Sequence, residues 1–247
     1  MVSDASIAVL FQDAYCAVIN KPAGLMAHAS SLSRGEDDFL LHRLRDQFQN
    51  KVHLIHRLDR ATSGCVLIAF NAEIASMLGK TFMSRDVQKD YLAICRGWPD
   101  EKFTVDYALD GGPGKPDKKS AVTEFQRIAC AEVSTPSTTH ESSRYALMQC
   151  SPITGRFRQI RRHLKHISHH LIGDTSHGDG RHNRAFRMQG VHRMLLHAWR
   201  LQFTHPISGL PIACEAPIDG EFIKALDFLN IASPLDQFSL RRCFAIS

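Results

Sequence analysis

Short apolar runs bounded by turn residues recur along the chain and predict β-strands. The runs at residues 7–11 and 17–20 flank a polar turn, whereas the run at 65–70 is apolar at nearly every position. An apolar run without alternation is typical of a strand that is buried on both faces. Further strands are predicted at 91–95, 122–128 and 145–150, and a hairpin at 203–212. The chain therefore has the strands of a substantial sheet.

Helical spacing of apolar residues predicts three helices. Asn71 is a favourable N-cap for a helix that contains Ile74 and Leu78. The clearest amphipathic pattern covers 156–171, and a last helix is predicted around 222–229. Because strands and helices mix without a regular βαβ order, we expect an α+β fold, with helices on the faces of a mixed sheet. We expect a single domain over residues 1–247.

Composition narrows the class of protein. The 247 residues are 44% hydrophobic and 22% charged, which is ordinary for a globular protein. No apolar run approaches the roughly 18 residues of a membrane span, and the first residues do not resemble a signal peptide. The seven cysteines include no Cys-x-x-Cys pair. A reduced, cytoplasmic protein is the simplest interpretation, and secreted, fibrous and membrane classes are excluded.

The positive charge is concentrated in one stretch. The formal net charge is +5, yet residues 151–200 hold ten lysines and arginines against two acidic residues. The same stretch contains eight of the 14 histidines. Such a local excess favours a face that binds a polyanion, although a solvated surface helix would also account for it.

The most distinctive segment is His56-Arg57-Leu58-Asp59-Arg60, which directly precedes the apolar run at 65–70. One acid lies between two arginines on a polar loop. Flanking guanidinium groups favour the ionised carboxylate, the form that acts as a nucleophile or base. A structural ion pair at the entrance to a strand would produce the same pattern, so spacing alone does not decide between them.

Several motifs, in order along the chain, resemble those of the RluA-type pseudouridine synthases. The segment from His56 to Gly64 is similar to the catalytic motif of that family. The other matching segments are Asn20-Lys21-Pro22-Ala23-Gly24-Leu25 with His28, Lys89-Asp90-Tyr91, Gly155-Arg156 with Gln159-Ile160-Arg161-Arg162-His163, Gly173-Asp174 with Gly178, Leu196-His197-Ala198, and His205-Pro206. Two departures are Phe157-Arg158 before the glutamine and His177 in place of a tyrosine. Neither departure touches the aspartate.

The resemblance implies a fold and a reaction. The fold would be a mixed, largely antiparallel curved sheet with flanking helices, without the S4-type RNA-binding domain that precedes the core in some relatives. The reaction would be the isomerisation of uridine to pseudouridine, which needs no cofactor and no metal. Asp59 would be the nucleophile, Arg161 its ionic partner, and Tyr91 the residue that stacks on the uracil and moves a proton. Ile160 would pack on the opposite face of the ring.

The resemblance also implies an RNA partner. Arg57 would fill the space that the extruded base leaves, and Arg60, Arg158 and Arg162 would contact the RNA, chiefly its phosphates. The segment from Gly173 to Arg184 is most similar to the branch of the family that modifies position 65 in the T-stem of tRNA. Ribosomal RNA is the alternative substrate. We expect a monomer without an obligate protein partner.

Two interpretations from other classes remain open. A non-catalytic RNA-binding protein could use the same basic helix, although the presence of Asp59, Tyr91 and Arg161 argues against it. A metallohydrolase is suggested by His163, His166 and His170 on one predicted helical face. No cysteine pairs with these histidines and the glutamate of a His-Glu-x-x-His motif is missing, so we expect phosphate contacts before a zinc site.

Overall fold

A computed structural model describes residues 6–28, 38–84, 86–134 and 141–232. Within these residues the strands are β1 (Ala8–Gln12), β2 (Cys16–Lys21), β3 (His53–Leu54), β4 (Ser63–Ala69), β5 (Gln88–Arg96), β6 (Lys102–Asp106), β7 (Val122–Val133), β8 (Ser143–Pro152), β9 (Leu196–Thr204) and β10 (Pro211–Glu215). The helices are α1 (Leu40–Phe48), α2 (Ala72–Ser84), α3 (Gln159–His166), α4 (Gly180–Met188) and α5 (Gly220–Phe228).

The first of two compact units takes its described residues from Met1–Gln88 and Ala198–Pro217. Its strands lie in the order β1-β2-β4-β9, with β3 paired to β4 and β10 paired to β9. The β1–β2, β2–β4, β3–β4 and β9–β10 pairs are all antiparallel. Every residue of β4 is buried, as its continuous apolar run predicts. Ile74 and Leu78 of α2 join Val18 and Leu67 in the core.

The second unit takes its described residues from Lys89–His197 and Ile218–Leu240. Its strands lie in the order β5-β8-β7-β6, again with antiparallel pairs. Tyr145 and Phe186 are fully buried and meet edge to face with ring centroids 5.1 Å apart. Antiparallel sheet segments with helices outside any βαβ order confirm the predicted α+β class. The single domain stays a prediction.

The predicted strands and the hairpin are confirmed to within a few residues. Asn71 caps α2 as predicted, because its Oδ1 accepts a hydrogen bond of 2.8 Å from the N–H of Ile74. Four elements were not predicted: α1, α4, β3 and β6. The sequence of α4 contains mostly arginine, histidine and asparagine, so it lacks the apolar periodicity that would announce a helix.

The helix predicted over 156–171 is wrong at both ends, since α3 spans only Gln159–His166. Arg158 adopts a left-handed conformation with φ of 52° and Ser168 one with φ of 63°, and neither conformation continues an α-helix. Leu171 fits the helical spacing, but it lies outside the helix. It is buried and forms an isolated β-bridge with Cys95. The apolar period therefore runs past the helix because the flanking loops also pack on the core.

Two further features bear on the class of protein. Among the described residues, no helix is long and apolar enough to cross a membrane. The six cysteines in this part of the chain are free thiols, and all but Cys130 are buried. Cys243 and most of the polar insertion at 134–143 lie outside the described residues.

Candidate active site

Asp59 lies in a tight turn that leads into β4. The N–H of Thr62 donates a hydrogen bond of 3.0 Å to the carbonyl oxygen of Asp59, which closes the turn. Asp59 is half-buried, whereas Arg57 and Arg60 on either side are exposed. The sequence thus places a carboxylate at the rim of the core, where it can reach a substrate.

A buried lysine fixes this turn from inside. Lys21, at the end of β2, is 0% exposed, and its ammonium donates to three backbone carbonyls. The acceptors are the oxygens of Pro22 at 2.8 Å, Thr62 at 2.9 Å and Arg60 at 3.1 Å. A buried ammonium is costly unless its donors are used, and here all three are used. The contacts bind both ends of the segment that follows Asp59 to the sheet.

Arg60 reinforces the same attachment through its own backbone and side chain. Its Nε donates to the carbonyl oxygen of Gly24 at 2.9 Å, and the N–H of Gly24 donates back to the Arg60 carbonyl at 2.8 Å. The expected RNA contact of Arg60 stays a prediction. Its observed role is to join two motifs that are far apart in the sequence.

Two other residues of the motif have structural roles. A Cβ on Gly64 would lie 2.2 Å from the carbonyl oxygen of Ala198, and its φ is +112°, so only glycine fits where β4 meets β9. His56 Nε2 accepts a hydrogen bond of 3.1 Å from the N–H of Leu67, and its ring stacks on Phe82 at 4.7 Å. Both residues hold the loop against the core.

Tyr91 occupies β5 of the second unit. It is half-buried and pairs in register with Cys150 on β8. Its neighbour Asp90 accepts a hydrogen bond of 2.6 Å from the hydroxyl of Ser151. Because Tyr91 is paired in register with β8, its backbone is held by the sheet at this position.

Arg161 forms a buried, two-pronged ion pair with Asp174. Nε and Nη2 of Arg161 donate to the two carboxylate oxygens of Asp174 at 2.6 and 2.8 Å. Arg161 is 6% exposed and Asp174 is 1% exposed. The planar guanidinium matches the carboxylate, so the pair sets both the position and the plane of Arg161.

The carboxylate of Asp174 is held in turn by the backbone. Its Oδ1 also accepts from the N–H groups of Ser176 at 2.8 Å and His177 at 2.9 Å. Burial by itself raises the pKa of Asp174, but the hydrogen bond and charge of Arg161, with those N–H groups, hold the pKa below its usual range. Asp174 is therefore an anion at neutral pH, opposite the cation of Arg161.

The first turn of α3 is anchored by Gln159, which is 5% exposed. Its amide donates to the Val122 carbonyl at 2.9 Å and to the Thr123 hydroxyl at 2.8 Å. Its oxygen accepts from the Thr154 hydroxyl at 2.7 Å and the Arg156 N–H at 3.0 Å. All four hydrogen-bonding positions of the amide are used, so the start of α3 is locked to β7.

The other predicted residues of α3 have distinct surroundings. Ile160 is buried, as its helical spacing predicts. Arg162 donates to the carboxylate of Asp110 at 2.8 Å and to the carbonyl of the same residue at 3.0 Å. Arg158 lies over the ring of Phe157 at 4.8 Å. The expected RNA contacts of Arg158 and Arg162 stay predictions.

Asp59 belongs to the first unit, whereas Tyr91 and Arg161 belong to the second. The pairing of Asp59 with Arg161 and the stacking role of Tyr91 stay predictions. Sequence reasoning listed Lys21, Gln159 and Asp174 only as parts of motifs and assigned them no role. An available signal was the residue type, since a lysine, a glutamine and an aspartate adjoining apolar runs need partners when buried.

The histidines of the basic stretch contact backbone and rings. His163 donates from Nε2 to the Tyr107 carbonyl at 3.1 Å, and burial lowers its pKa. His166 stacks on Tyr107 with centroids 3.8 Å apart. His170 Nδ1 lies 2.8 Å from the carbonyl oxygen of His177, to which it donates. These contacts join the three imidazoles to backbone carbonyls and to a neighbouring ring, and within the described residues the three do not group as metal ligands.

The one cluster of potential metal ligands within the described residues is Asp13, Cys16 and His205. His205 Nδ1 accepts from the N–H groups of Ile207 and Ser208, so the proton of the neutral ring is on Nε2, which lies 2.7 Å from Asp13. Burial and the charge of Asp13 raise the pKa of the Cys16 thiol to about 12. Asp13 also accepts a hydrogen bond of 2.8 Å from the N–H of Cys16, so its carboxylate joins the other two residues within the fold.

Comparison with known protein families gives one match that covers most of the chain. A model of a family described as RNA pseudouridylate synthase matches residues 15–166. This range includes the Asp59 turn, Tyr91 and all of α3.

Named bacterial relatives are similar over nearly the whole chain. The protein from Vibrio parahaemolyticus called tRNA pseudouridine synthase C is 40% identical over 221 residues, which is 85% of this chain and 90% of that protein. A protein of the same name from Pasteurella multocida is 41% identical over 236 residues, covering 92% and 96% of the two chains.

The fold is similar to solved structures. Human RNA pseudouridylate synthase domain containing 1 superimposes with a TM-score of 0.72 at 23% identity, covering 97% of this chain and 95% of the other. Human RNA pseudouridylate synthase domain containing 4 gives a TM-score of 0.70, also at 23% identity, with coverage of 92% and 94%. At this identity the likeness concerns the fold.

Proposed function

The chain belongs to the RNA pseudouridylate synthase family, and from this premise we propose that it converts uridine to pseudouridine in tRNA, at position 65 of the T-stem. The observation that carries the proposal is the Asp59 turn, held by a fully buried Lys21, in a chain about 40% identical to proteins named tRNA pseudouridine synthase C. The reaction breaks the N1–C1′ bond, turns the uracil and joins C5 to C1′. Product and substrate have the same atoms, so no group is imported and nothing is oxidised.

The family motifs suggest the roles of the site residues, and the positions of some of these residues support them. Asp59 is the nucleophile, because its turn is fixed at the rim of the core while its carboxylate stays within reach of a substrate. Arg161 keeps that carboxylate ionised and aimed, and Asp174 holds Arg161 in plane for this purpose. Tyr91 stacks on the uracil and moves a proton, and Ile160 packs on the other side of the ring.

The target uridine must leave its helix before it can react. Position 65 lies in a base-paired stem, so extrusion costs a few kcal/mol. Arg57 is exposed next to the Asp59 turn, which suits a side chain that fills the vacated space. The enzyme acts as a cytoplasmic monomer, and no protein partner or metal takes part.

Replacing Asp59 with asparagine tests the chemistry. Asp59→Asn keeps the shape of the side chain and removes the nucleophile, so pseudouridine formation in an unmodified tRNA transcript should cease while RNA binding and thermal stability stay the same. The matched control is Asp46→Asn, which makes the same change at an exposed position of α1. Turnover by Asp59→Asn within roughly tenfold of the wild type would show that Asp59 is not the nucleophile.

A second experiment tests the substrate. Purified protein, without added metal or nucleotide, is incubated with tRNA transcripts and with ribosomal RNA fragments, and pseudouridine is mapped by chemical probing. Modification of a T-stem uridine supports the proposal. Modification of ribosomal RNA alone would leave the chemistry intact and replace the substrate, whereas RNA binding without any modification would leave only a binding protein.

A further inference from the structure

Two groups of arginines in the basic stretch differ in their surroundings, and Arg156 and Arg158 belong to neither group. Those of the first group are paired with carboxylates of the fold. The pairs are Arg161 with Asp174, Arg162 with Asp110, Arg193 with Asp219, and Arg200 with Glu215. Much of the charge of this stretch is therefore neutralised inside the protein.

The second group lies on α4. Arg181, Arg184 and Arg187 are exposed, whereas Asn183 and Phe186 of the same helix are buried. The helix contains no acidic residue of its own, and its N-cap Asp179 forms ion pairs with Arg96 at 2.8 Å and with Arg181 at 4.0 Å. The three arginines, each three residues from the next, present a local positive surface.

This arrangement is unfavourable for the isolated helix. Arg181 lies in the first turn, where the helix dipole disfavours a cation. Residues three apart are neighbours on a helix surface, so the arginines also repel one another. Both effects raise the free energy of the isolated helix, and a bound anionic ligand would offset them.

The buried side of α4 connects this surface to the candidate active site. Asn183 Oδ1 accepts from the N–H of Gly173 at 2.7 Å, and Asn183 Nδ2 donates to the carbonyl of Asp174 at 3.0 Å. Asp174 holds Arg161 in turn. One side of a single helix thus supports the catalytic arginine while the other side is exposed and basic.

We propose that Arg181, Arg184 and Arg187 form the docking surface for the phosphate backbone of the RNA substrate; this rests on the proposed function. The three residues cover about 9 Å of helix axis. A duplex stem carries its phosphates densely along its axis, so several fall within reach of one helix face. An RNA stem held here lies beside the segment that positions Arg161.

The chemistry of the face favours RNA over an anionic membrane. A membrane-surface helix needs an apolar side with tryptophan, phenylalanine or leucine that enters the lipid. In α4 the apolar Phe186 is buried in the core, and the exposed face offers Met188 as its one large apolar residue. The surface thus offers cationic side chains without an apolar anchor for lipid, and this composition suits the phosphates of a nucleic-acid backbone.

The test compares two triple variants with equal loss of charge. Arg181→Gln, Arg184→Gln and Arg187→Gln are combined in one protein, and glutamine keeps the helix propensity of arginine. The control combines Arg45→Gln, Lys51→Gln and Lys80→Gln, which are exposed cations of the first unit. Dissociation constants for an unmodified tRNA transcript are measured from 50 to 200 mM salt, with pseudouridine formation under single-turnover conditions.

The α4 triple variant should weaken binding at least roughly tenfold and reduce the slope of log K against log salt by about 2–3, since each lost phosphate contact removes about 0.7–0.9. The rate at saturating RNA should match the wild type. The control should bind as the wild type does. An α4 variant with three lysines should keep most of the binding, because lysine also neutralises phosphates.

Three results would overturn the proposal. One is equal binding by the α4 variant and the control, and another is a lower saturating rate at unchanged affinity. The third is that the wild type binds vesicles of anionic lipid, and that the α4 triple variant loses this binding while it still binds RNA. If the triple variant melts early, Arg184→Gln alone should lower the slope by about 0.7–0.9, and an unchanged slope counts against the proposal. Failure of the wild-type protein to modify tRNA would refute the proposed function, and this measurement does not depend on any variant.

Discussion

Replacing Lys21 with methionine should cost both stability and turnover, because one ammonium holds the turn that carries Asp59. Methionine keeps the straight, unbranched chain and removes the three donors. The carbonyls of Pro22 and Thr62 then lose the ammonium at 2.8 and 2.9 Å, whereas the carbonyl of Arg60 keeps the N–H of Gly24. The change therefore removes the ammonium from two carbonyls, of which that of Thr62 is buried and that of Pro22 belongs to an exposed residue.

The size of the effect follows from these contacts. A buried acceptor that loses its partner costs about 1–3 kcal/mol, and the carbonyl of the exposed Pro22 adds less because water can reach it, so the two together cost about 1–4 kcal/mol. The greater apolar character of methionine offsets about 1–2 kcal/mol. The net loss in the free energy of unfolding should centre on about 1 kcal/mol. A shift of about 1 Å in the turn would lower kcat by roughly 100-fold.

The assay combines urea unfolding with single-turnover pseudouridine formation at saturating RNA. Lys51→Met is the matched control, because Lys51 is exposed and its replacement should change the free energy of unfolding by less than about 0.5 kcal/mol. The dissociation constant for RNA should be the same for both variants, since Lys21 is 0% exposed. Wild-type stability in Lys21→Met would refute the reasoning. Lower stability with a normal rate would show that the turn does not depend on Lys21.

Three further outcomes are expected. Gly64→Ala should abolish soluble expression or strongly lower the melting temperature measured by circular dichroism, because the new Cβ would lie 2.2 Å from the Ala198 carbonyl oxygen. A normal melting curve would contradict the close contact. Asp174→Asn should destabilise the protein by about 3–5 kcal/mol at pH 7, since it leaves Arg161 buried without its anion. The lowered pKa of Asp174 stabilises the wild type above the unfolded pKa of about 3.9, and this stabilisation is lost as the pH falls through the folded pKa. Urea titrations from pH 6 to 3 should therefore show that the free energy of unfolding depends less on pH in the variant. An equal dependence on pH in both proteins would argue against the ion pair. Arg57→Ala should slow single-turnover modification of a base-paired T-stem uridine far more than modification of the same uridine in a mismatch, because a mismatch lowers the cost of extrusion. Equal slowing on both substrates would exclude a role for Arg57 in base extrusion.

The local order of elements could be predicted from the sequence because it depends on neighbouring residues. The apolar run that becomes β4 and the Asn71 cap of α2 depend on the burial or hydrogen bonding of residues close in the chain. The resemblance of the contiguous segment His56 to Gly64 to a family motif likewise indicated Asp59. The α3 boundaries could not be predicted in this way, since the left-handed backbone of Arg158 and Ser168 accompanies packing against distant strands.

The partners of the polar residues depend on the tertiary structure. Lys21 and Thr62 are 41 positions apart, Arg162 and Asp110 are 52 apart, and Gln159 and Val122 are 37 apart. A charge count treats every arginine of the basic stretch alike, because it contains no information about which carboxylates fold against them. Folding pairs Arg161 and Arg162 with acids and leaves Arg181, Arg184 and Arg187 exposed on α4. Residue type and spacing determine which side chains are able to do chemistry, and long-range packing determines which of them are buried against a partner and which are exposed.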